Sequence, residues 1–211
     1  MTPMVGDTVL RVEAMSFSYR DRHVFSSWSM EFEGGLTWLQ GANGSGKSTL
    51  LKLLGGALTP KAGRLIAAGT DSLERPIDYR RGVFWCGPGP IAFDHLLAAE
   101  YFGFLRGLYP QFDSSALSAH VEGFGLCAHM NTPIRAMSTG TQRKVWLAAA
   151  LVAGTAVVLL DEPLNALDSG SLEYARQALA RHALGSPRAW IVASHGPPCE
   201  LDQRAKIVAL P

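Results

Sequence analysis

Residues 41–49 read GANGSGKST and directly follow a strand-like stretch, LTWLQ at 36–40. They fit the pattern G-x-x-x-x-G-K-[ST], with Gly41, Gly46, Lys47 and Ser48 at the defining positions. Glycines let consecutive backbone N–H groups turn toward an anion, and the lysine adds a positive charge beside them. The stretch therefore predicts a phosphate-binding loop between a buried strand and a helix.

We expect this loop to hold the phosphates of a nucleotide. The Lys47 ammonium would contact the β- and γ-phosphates, and the Ser48 hydroxyl would bind Mg²⁺. The residues KSTLLKLLGG that follow have helical character, and a helix N-terminus favours negative charge through its free N–H groups and its dipole. The predicted nucleotide-binding residues of the loop are Gly41, Asn43, Gly44, Ser45, Gly46, Lys47, Ser48 and Thr49.

Composition and charge argue against several classes of protein. The chain has 211 residues, of which 47% are hydrophobic, enough for one large domain with a sizeable core. The net charge of +1 gives no reason to expect a nucleic-acid partner, and we expect RR at 80–81 and RK at 143–144 to be solvated. The cysteines Cys86, Cys127 and Cys199 are widely spaced, which fits a reducing cytosol and neither a disulfide framework nor a zinc site.

The longest apolar run, VWLAAALVAGTAVVLL from Val145 to Leu160, raises the question of a membrane span. It is shorter than the roughly 20 residues that a span needs, and Gly154 and Thr155 interrupt it. We therefore predict a buried helix end, a turn and a buried strand. The first residues, MTPMVGDTVL, lack a basic region followed by an apolar stretch, so we expect no secretory signal and a soluble protein.

Predicted strands alternate with predicted helices along the chain. VLRVEAMSFSY and FSSWSMEFE are expected to form a hairpin, and RLIAAG, GVFWC, AWIVASH and AKIVAL to be further strands. The fold class predicted is α/β: a P-loop NTPase with a mainly parallel core sheet, an N-terminal antiparallel β subdomain and a helical subdomain. We expect one domain over residues 1–211, with the helical subdomain at about 94–150.

Two acids stand at the end of the continuous apolar strand in AVVLLDEP. Ligands of open α/β sheets bind at the carboxyl edge of the strands, where Asp161 and Glu162 would lie. Asp161 is suited to hold Mg²⁺, directly or through water, and Glu162 to polarise a water molecule for attack on a γ-phosphate. The sequence thus predicts metal binding by Ser48 and Asp161 and a general base at Glu162.

Further stretches resemble the ATP-binding cassette (ABC) ATPases. MSTGTQRKV at 137–145 is similar to the LSGGQ signature of that family, with Ser138 and Gly140 matching its serine and second glycine. NALD at 165–168 looks like the D-loop, and His195 in VASHG looks like the switch histidine. Tyr19 in FSYRD resembles the aromatic residue that stacks on adenine.

The resemblance implies a mechanism and a set of partners. Two such ATPases pair head to tail, so that ATP lies between the phosphate loop of one chain and the Ser138–Gly140 region of a second copy or a related subunit. His195 would contact the γ-phosphate. A polytopic membrane subunit would be the other partner, which places the protein in the cytoplasm at the inner face of the cell membrane. The compactness of the chain and the short segment between RLIAAG and MSTGTQRKV resemble ATPases of ABC-2-type exporters, of which the haem-exporter ATPase of cytochrome c maturation is one, so ATP hydrolysis is expected to energise export.

The sequence departs from the family pattern at one position, and it is compatible with several alternative functions. The family has a glutamine after the strand that corresponds to GVFWC, whereas this chain has CGPGPIAF there, with Pro88 or a glycine at the expected place. Either hydrolysis proceeds without that side chain, or its coupling to the partner is altered. An importer subunit, a non-transport ABC ATPase of the DNA-repair or translation type, and a simple P-loop kinase are the alternative functions.

Overall fold

The computed structural model describes residues 7–20, 22–87, 93–201, 203 and 205–210. The strands are β1 (Thr8–Tyr19), β2 (Arg22–Glu33), β3 (Gly35–Gln40), β4 (Ala62–Ala67), β5 (Thr70–Asp71), β6 (Val83–Cys86), β7 (Val157–Asp161), β8 (Ala189–Ala193) and β9 (Lys206–Ala209). The α-helices are α1 (Lys47–Leu54), α2 (Pro76–Arg81), α3 (Ala98–Leu108), α4 (Ser114–Gly123), α5 (Thr139–Val152) and α6 (Ser169–Ala183).

An antiparallel sheet with the strand order β2-β1-β4-β5 contains the N-terminal part of the chain. It contains the predicted hairpin, in which β1 pairs with the edge strand β2 along most of its length. The register shifts several times between Thr8 and Ser18, and such bulges explain why the apolar residues of β2 do not alternate strictly. The predicted antiparallel β subdomain is confirmed.

The second sheet is parallel and has the strand order β6-β7-β8-β3-β9. Its central strands are buried on both faces, as expected for a parallel sheet covered by other elements. Successive side chains of β7 enter different hydrophobic clusters: Val158 and Leu160 pack with the helices α3 to α6, whereas Val157 and Leu159 pack with α1 and the antiparallel sheet. The sheet therefore joins two cores, which confirms the predicted fold class.

The long apolar run of the sequence has the predicted structure. Its first half is the end of α5, its second half is β7, and Gly154 lies between them with a positive φ of 70°. A Cβ atom on Gly154 would lie 2.0 Å from the carbonyl oxygen of Gln111, so the turn requires glycine. Within the described part of the chain, no helix is both long enough and apolar enough to cross a membrane.

The helices α3, α4 and most of α5 occupy the range 94–150, where the sequence predicts helices. The division into one domain with a helical subdomain stays a prediction. The expectation of a solvated RK pair at 143–144 is wrong, because Arg143 is 5% exposed and its guanidinium lies 5.1 Å from the ring centroid of Trp146. This part of α5 faces the interior of the protein. Two adjacent charges in a sequence do not show which face of a helix is turned inward, so the sequence alone did not predict the burial.

Candidate functional site

The phosphate-loop residues connect the buried strand β3 to helix α1, as predicted. Gly46 is the N-cap of α1 and has a φ of 99°, a conformation that residues with a side chain rarely adopt. A Cβ atom on Gly46 would also lie 3.1 Å from Val24 Cγ1 and 3.3 Å from Phe25 Cζ, so β2 packs closely behind the loop. The N-terminus of α1 consequently faces the loop with its N–H groups free of side-chain caps.

Lys47 is the cation of this loop. Its residue is 8% exposed, and its Nζ donates hydrogen bonds to the carbonyl oxygens of Gly41, at 2.6 Å, and Ala42, at 3.0 Å. The ammonium is therefore held against the loop by neutral acceptors and has no carboxylate partner among the described ion pairs. A bound phosphate would give this buried charge the charge-assisted hydrogen bonds that the carbonyls do not supply.

Asp161 ends β7 at the carboxyl edge of the parallel sheet and is 1% exposed. Burial raises the pKa of its carboxyl above the ordinary value, and a hydrogen bond with Ser48 and the charges of Lys52, Arg143 and Lys47 oppose that rise. Its Oδ2 is buried without a hydrogen-bond partner. Such an atom is costly unless another group satisfies it.

These oxygens fit a magnesium ion. Mg²⁺ prefers hard oxygen ligands and in phosphate sites uses one or two protein groups together with the phosphates. The unpaired Asp161 Oδ2 and the hydroxyl of Ser48, an exposed residue that lines the same cavity, supply that set. A bound Mg²⁺ would neutralise part of the phosphate charge.

Glu162 and His195 lie next to Asp161. Glu162 has a φ of 48°, which is uncommon for a residue other than glycine, and its N–H donates to the carbonyl oxygen of Ala193 at the end of β8. His195 Nε2 lies 3.6 Å from Glu162 Oε1, and the histidine is largely exposed. Strained backbone conformations of this kind cluster at active sites and ligand-binding sites, where the surrounding structure holds the strained residue.

A cavity of about 490 Å³ lies over the loop and this sheet edge. It brings together most of the residues that the sequence singled out: Tyr19, Asn43, Gly44, Ser45, Gly46, Lys47, Ser48, Thr49, Asp161, Glu162 and His195. Gly41 lies behind the cavity, where a Cβ atom would approach Ser45 Oγ to 2.5 Å and the carbonyl oxygen of Leu210 to 3.0 Å. The cavity thus combines cations, acids and free N–H groups from four separate segments of the chain.

Tyr19 is at the rim of the cavity and is 44% exposed. Its ring packs edge-on against Phe17, with 4.9 Å between the centroids, and its hydroxyl lies 3.5 Å from Thr49 Oγ1. An exposed aromatic ring at the rim of a cavity is a type of group that can stack on a nucleobase.

Arg22 and His23 also line the cavity, and sequence reasoning did not identify them. Arg22 Nη2 donates to the carbonyl oxygen of Gly44 at 3.3 Å, so it contacts the phosphate loop directly. The signal was present in the sequence, because both residues come three or four positions after Tyr19. A hairpin turn there would return them to the same rim.

Ser138 and Gly140 do not line this cavity. Ser138 is the N-cap of α5, and its Oγ accepts from the N–H of Thr141 at 3.1 Å. Gly140 lies under Ala166, whose carbonyl oxygen would be 2.4 Å from a Cβ atom at that position. The phosphate loop and the Ser138–Gly140 region are therefore separate parts of the surface of one chain. Pro88, where the sequence lacks a glutamine, lies outside the described residues.

Comparison with known proteins identifies relatives over most of the chain. The family described as ABC transporter matches residues 26–165. The cytochrome c biogenesis ATP-binding export protein CcmA of Pseudomonas syringae is 31% identical over 186 residues, which are 86% of this chain and 83% of that protein. ATP-binding cassette sub-family A member 17 of Mus musculus is 33% identical over 143 residues, and this chain spans only 8% of its length.

Solved structures share the fold. The ATP-binding subunit of an ABC transporter superimposes with a TM-score of 0.77 at 23% identity, over 89% of this chain and 80% of that chain. A bacterial Atm1-family ABC exporter with ATP bound gives a TM-score of 0.74 at 22% identity, over 92% of this chain and 36% of that chain. At these identities the likeness concerns the fold alone.

Proposed function

The chain belongs to the ABC transporter family, and we propose that it binds and hydrolyses ATP to energise export through a separate membrane subunit. Members of the family bind ATP and act as ATPases, and the chain is an ATP-binding subunit of this type. The observation that carries the proposal is the convergence of Lys47, Asp161, Glu162 and His195 on one cavity over the phosphate loop.

The residues of the cavity have complementary roles in this proposal. The N-terminus of α1 and Lys47 bind the β- and γ-phosphates, while Tyr19 stacks on adenine. Ser48 and Asp161 are the residues that would hold Mg²⁺. Glu162 accepts a proton from the attacking water, and His195, which is 3.6 Å from Glu162, contacts the γ-phosphate and orients that water.

A second ATPase chain completes the site in this proposal. Ser138 and Gly140 lie outside the cavity of their own chain, at the exposed start of α5. A helix N-terminus with a serine hydroxyl is a ready anion-binding group, so it would bind the γ-phosphate held by the phosphate loop of the opposite chain. ATP would then join two chains head to tail, and hydrolysis would loosen them.

The transport partner is the remaining part of the proposal. We place the protein in the cytoplasm at the inner face of the cell membrane, where a polytopic membrane subunit anchors it. The similarity to a protein named as an export ATPase supports export rather than import. Purification of the tagged chain from solubilised membranes should recover a polytopic membrane protein, and recovery of ribosomes or DNA in its place would refute this part.

Glu162→Gln tests the hydrolytic role. The amide has nearly the shape of the carboxylate, so the fold and ATP binding should survive while the base is lost. General-base catalysis contributes about 10²–10⁴ in rate, and we expect turnover to fall within that range. ATP should then remain bound, and size-exclusion chromatography with Mg-ATP should show a persistent dimer.

A further Ser138→Arg substitution is the control for the dimer. The arginine would fill the second anion-binding position, so Glu162→Gln/Ser138→Arg should bind ATP and stay monomeric. Equal dimers in both proteins would exclude the head-to-tail arrangement. Turnover at the parent rate in Glu162→Gln would exclude Glu162 as the base and leave the other assignments in place.

A further inference from the structure

The segment from Glu162 to Asp168, here called the 162–168 segment, leads from the candidate base to helix α6. Two of its residues have positive φ angles, 48° at Glu162 and 65° at Ala166, although neither is glycine. At its end Asp168 caps α6, since its Oδ1 accepts from the N–H of Ser171 at 2.9 Å. A backbone in this conformation persists only where its surroundings hold it in place.

Helix α5 supplies two of those restraints. Gly140 lies directly against Ala166, because a Cβ atom there would come within 2.4 Å of the Ala166 carbonyl oxygen. One turn further along α5, Lys144 Nζ lies 2.6 Å from Asp168 Oδ2. The contacts act at the middle and at the end of the 162–168 segment, while the hydrogen bond from Glu162 N–H to Ala193 holds its beginning.

Lys144 is the charged member of this arrangement. Its side chain is 17% exposed, less than that of any other lysine or arginine in the described ion pairs. The hydrogen bond from Lys144 is the largest of the causes that lower the pKa of Asp168. Ser171 Oγ also donates to Asp168 Oδ2, at 2.9 Å, so this carboxylate joins α5 to the first turn of α6.

We propose that Lys144 is a positioning residue for catalysis: through Asp168 it fixes the 162–168 segment and thereby sets the orientation of the Glu162 carboxylate. This inference rests on the proposed role of Glu162 in ATP hydrolysis. Lys144 itself does not line the cavity over the phosphate loop. The same helix begins at Ser138, so a phosphate bound there by a second chain would act on α5 and, through Lys144, on the base of this chain.

The direct test is Lys144→Met, which keeps a stem of four apolar heavy atoms and removes the ammonium. Small misplacements of a catalytic group can reduce rates up to about 10²-fold, so we expect kcat to fall about tenfold with KM and ATP affinity unchanged. Backbone amides of the 162–168 segment should exchange hydrogen faster, as measured by mass spectrometry. Lys144→Arg keeps the charge and should recover most of the turnover.

Lys206→Met is the matched control, because Lys206 Nζ forms an ion pair of the same 2.6 Å length with Glu33 Oε1. Lys206 begins β9, at the end of the sheet away from the cavity, so this change should leave kcat and the segment's exchange unaltered. Asp168→Asn keeps an oxygen for the cap and removes the charge. Combined with Lys144→Met, it should lower kcat no further than Lys144→Met alone.

The outcomes separate the inference from the function on which it rests. Unchanged kcat in Lys144→Met, alongside the expected loss in Glu162→Gln, would overturn the positioning role alone. A parent protein that does not turn over ATP would overturn the proposed function, whereas faster exchange in the 162–168 segment of Lys144→Met would still show the restraint. Additive effects of Lys144→Met and Asp168→Asn would mean that the two residues act independently, which also contradicts the inference.

Discussion

Two regions of the molecule bury polar groups to a similar degree but satisfy them differently. At the carboxyl edge of the parallel sheet, Lys47 meets only neutral carbonyl oxygens, and one oxygen of Asp161 has no hydrogen-bond partner. Between α4 and α6, His120 is 5% exposed, yet its Nδ1 is 2.9 Å from the hydroxyl of Tyr174, and its ring lies 5.2 Å from that of His182. The first region opens into the cavity; the second contributes to packing.

The difference separates a site that needs a ligand from a cluster that is complete in itself. A buried polar group without a partner costs stability, so a fold retains it where another molecule supplies the partner. The His120 cluster has its partners within the chain and needs none from outside. Binding and stability should therefore respond to changes in different regions.

The largest expected effect comes from Lys47→Ala. It removes the ammonium from the phosphate loop, and each charge-assisted hydrogen bond contributes roughly 1.5–3 kcal/mol, so ATP affinity should fall roughly 10- to 100-fold. The fold should survive, because the described hydrogen bonds of the Lys47 ammonium go to two carbonyl oxygens of the loop itself and to no other element. Isothermal titration with ATP and a thermal melt of the same variant measure both effects. An unchanged affinity would remove the assignment of the phosphate loop.

The smaller effect concerns pH and the His120 cluster. Burial lowers the pKa of His120 from 6.5 to about 4, and the positive charges of His182 and Arg181 act in the same direction. The negative charge of Asp113 opposes this shift. Between pH 6.5 and about 4 the unfolded chain therefore binds more protons at His120 than the folded chain does. The stability that neutral His120 contributes is fully present above about pH 6.5 and is lost as the pH falls toward 4. Between pH 7 and pH 5 the free energy of unfolding should decrease by roughly 1–2 kcal/mol through this group.

His120→Gln sharpens this prediction. Glutamine does not titrate and can still hydrogen-bond to Tyr174. The urea midpoint of unfolding of the variant should therefore depend less on pH than that of the parent protein. Burial and the charges of Arg188 and Arg181 also lower the pKa of His182. Because His182 is still present in the variant, part of the pH dependence of stability should remain. Equal pH dependence in parent and variant would contradict the role of His120. ATP affinity at pH 7 should be the same in both proteins.

Much of this architecture could be predicted because local pattern and tertiary role coincide. The glycines of GANGSGKST permit the backbone conformation of the phosphate loop, so the loop is visible in the sequence. The strand before Glu162 is apolar at successive positions because it is buried on both faces, and this pattern alone indicates a central parallel strand. The resemblance of MSTGTQRKV to a signature also places Ser138 at a helix start, where serine is a favoured cap.

Other features depend on packing that no local pattern encodes. Arg22 and His23 reach the cavity only because the turn after Tyr19 brings them back to its rim. The sequence of Arg143 and Lys144 predicts a solvated basic pair, yet the rotation of α5 buries Arg143 and directs Lys144 to Asp168, the N-cap of α6. These contacts join residues far apart in sequence, so their existence follows from how the elements pack.

The position of β3 in its sheet has a consequence for biosynthesis. β3 carries the phosphate loop and pairs with β8 on one side and β9 on the other, both made from the last part of this sequence. The N–H of Leu210, just past β9, donates to the carbonyl oxygen of Gln40, immediately before the loop. A ribosome therefore releases the nucleotide-binding loop long before the strands that flank it, and the nascent chain cannot close this sheet around β3 until synthesis has reached the residues of β9.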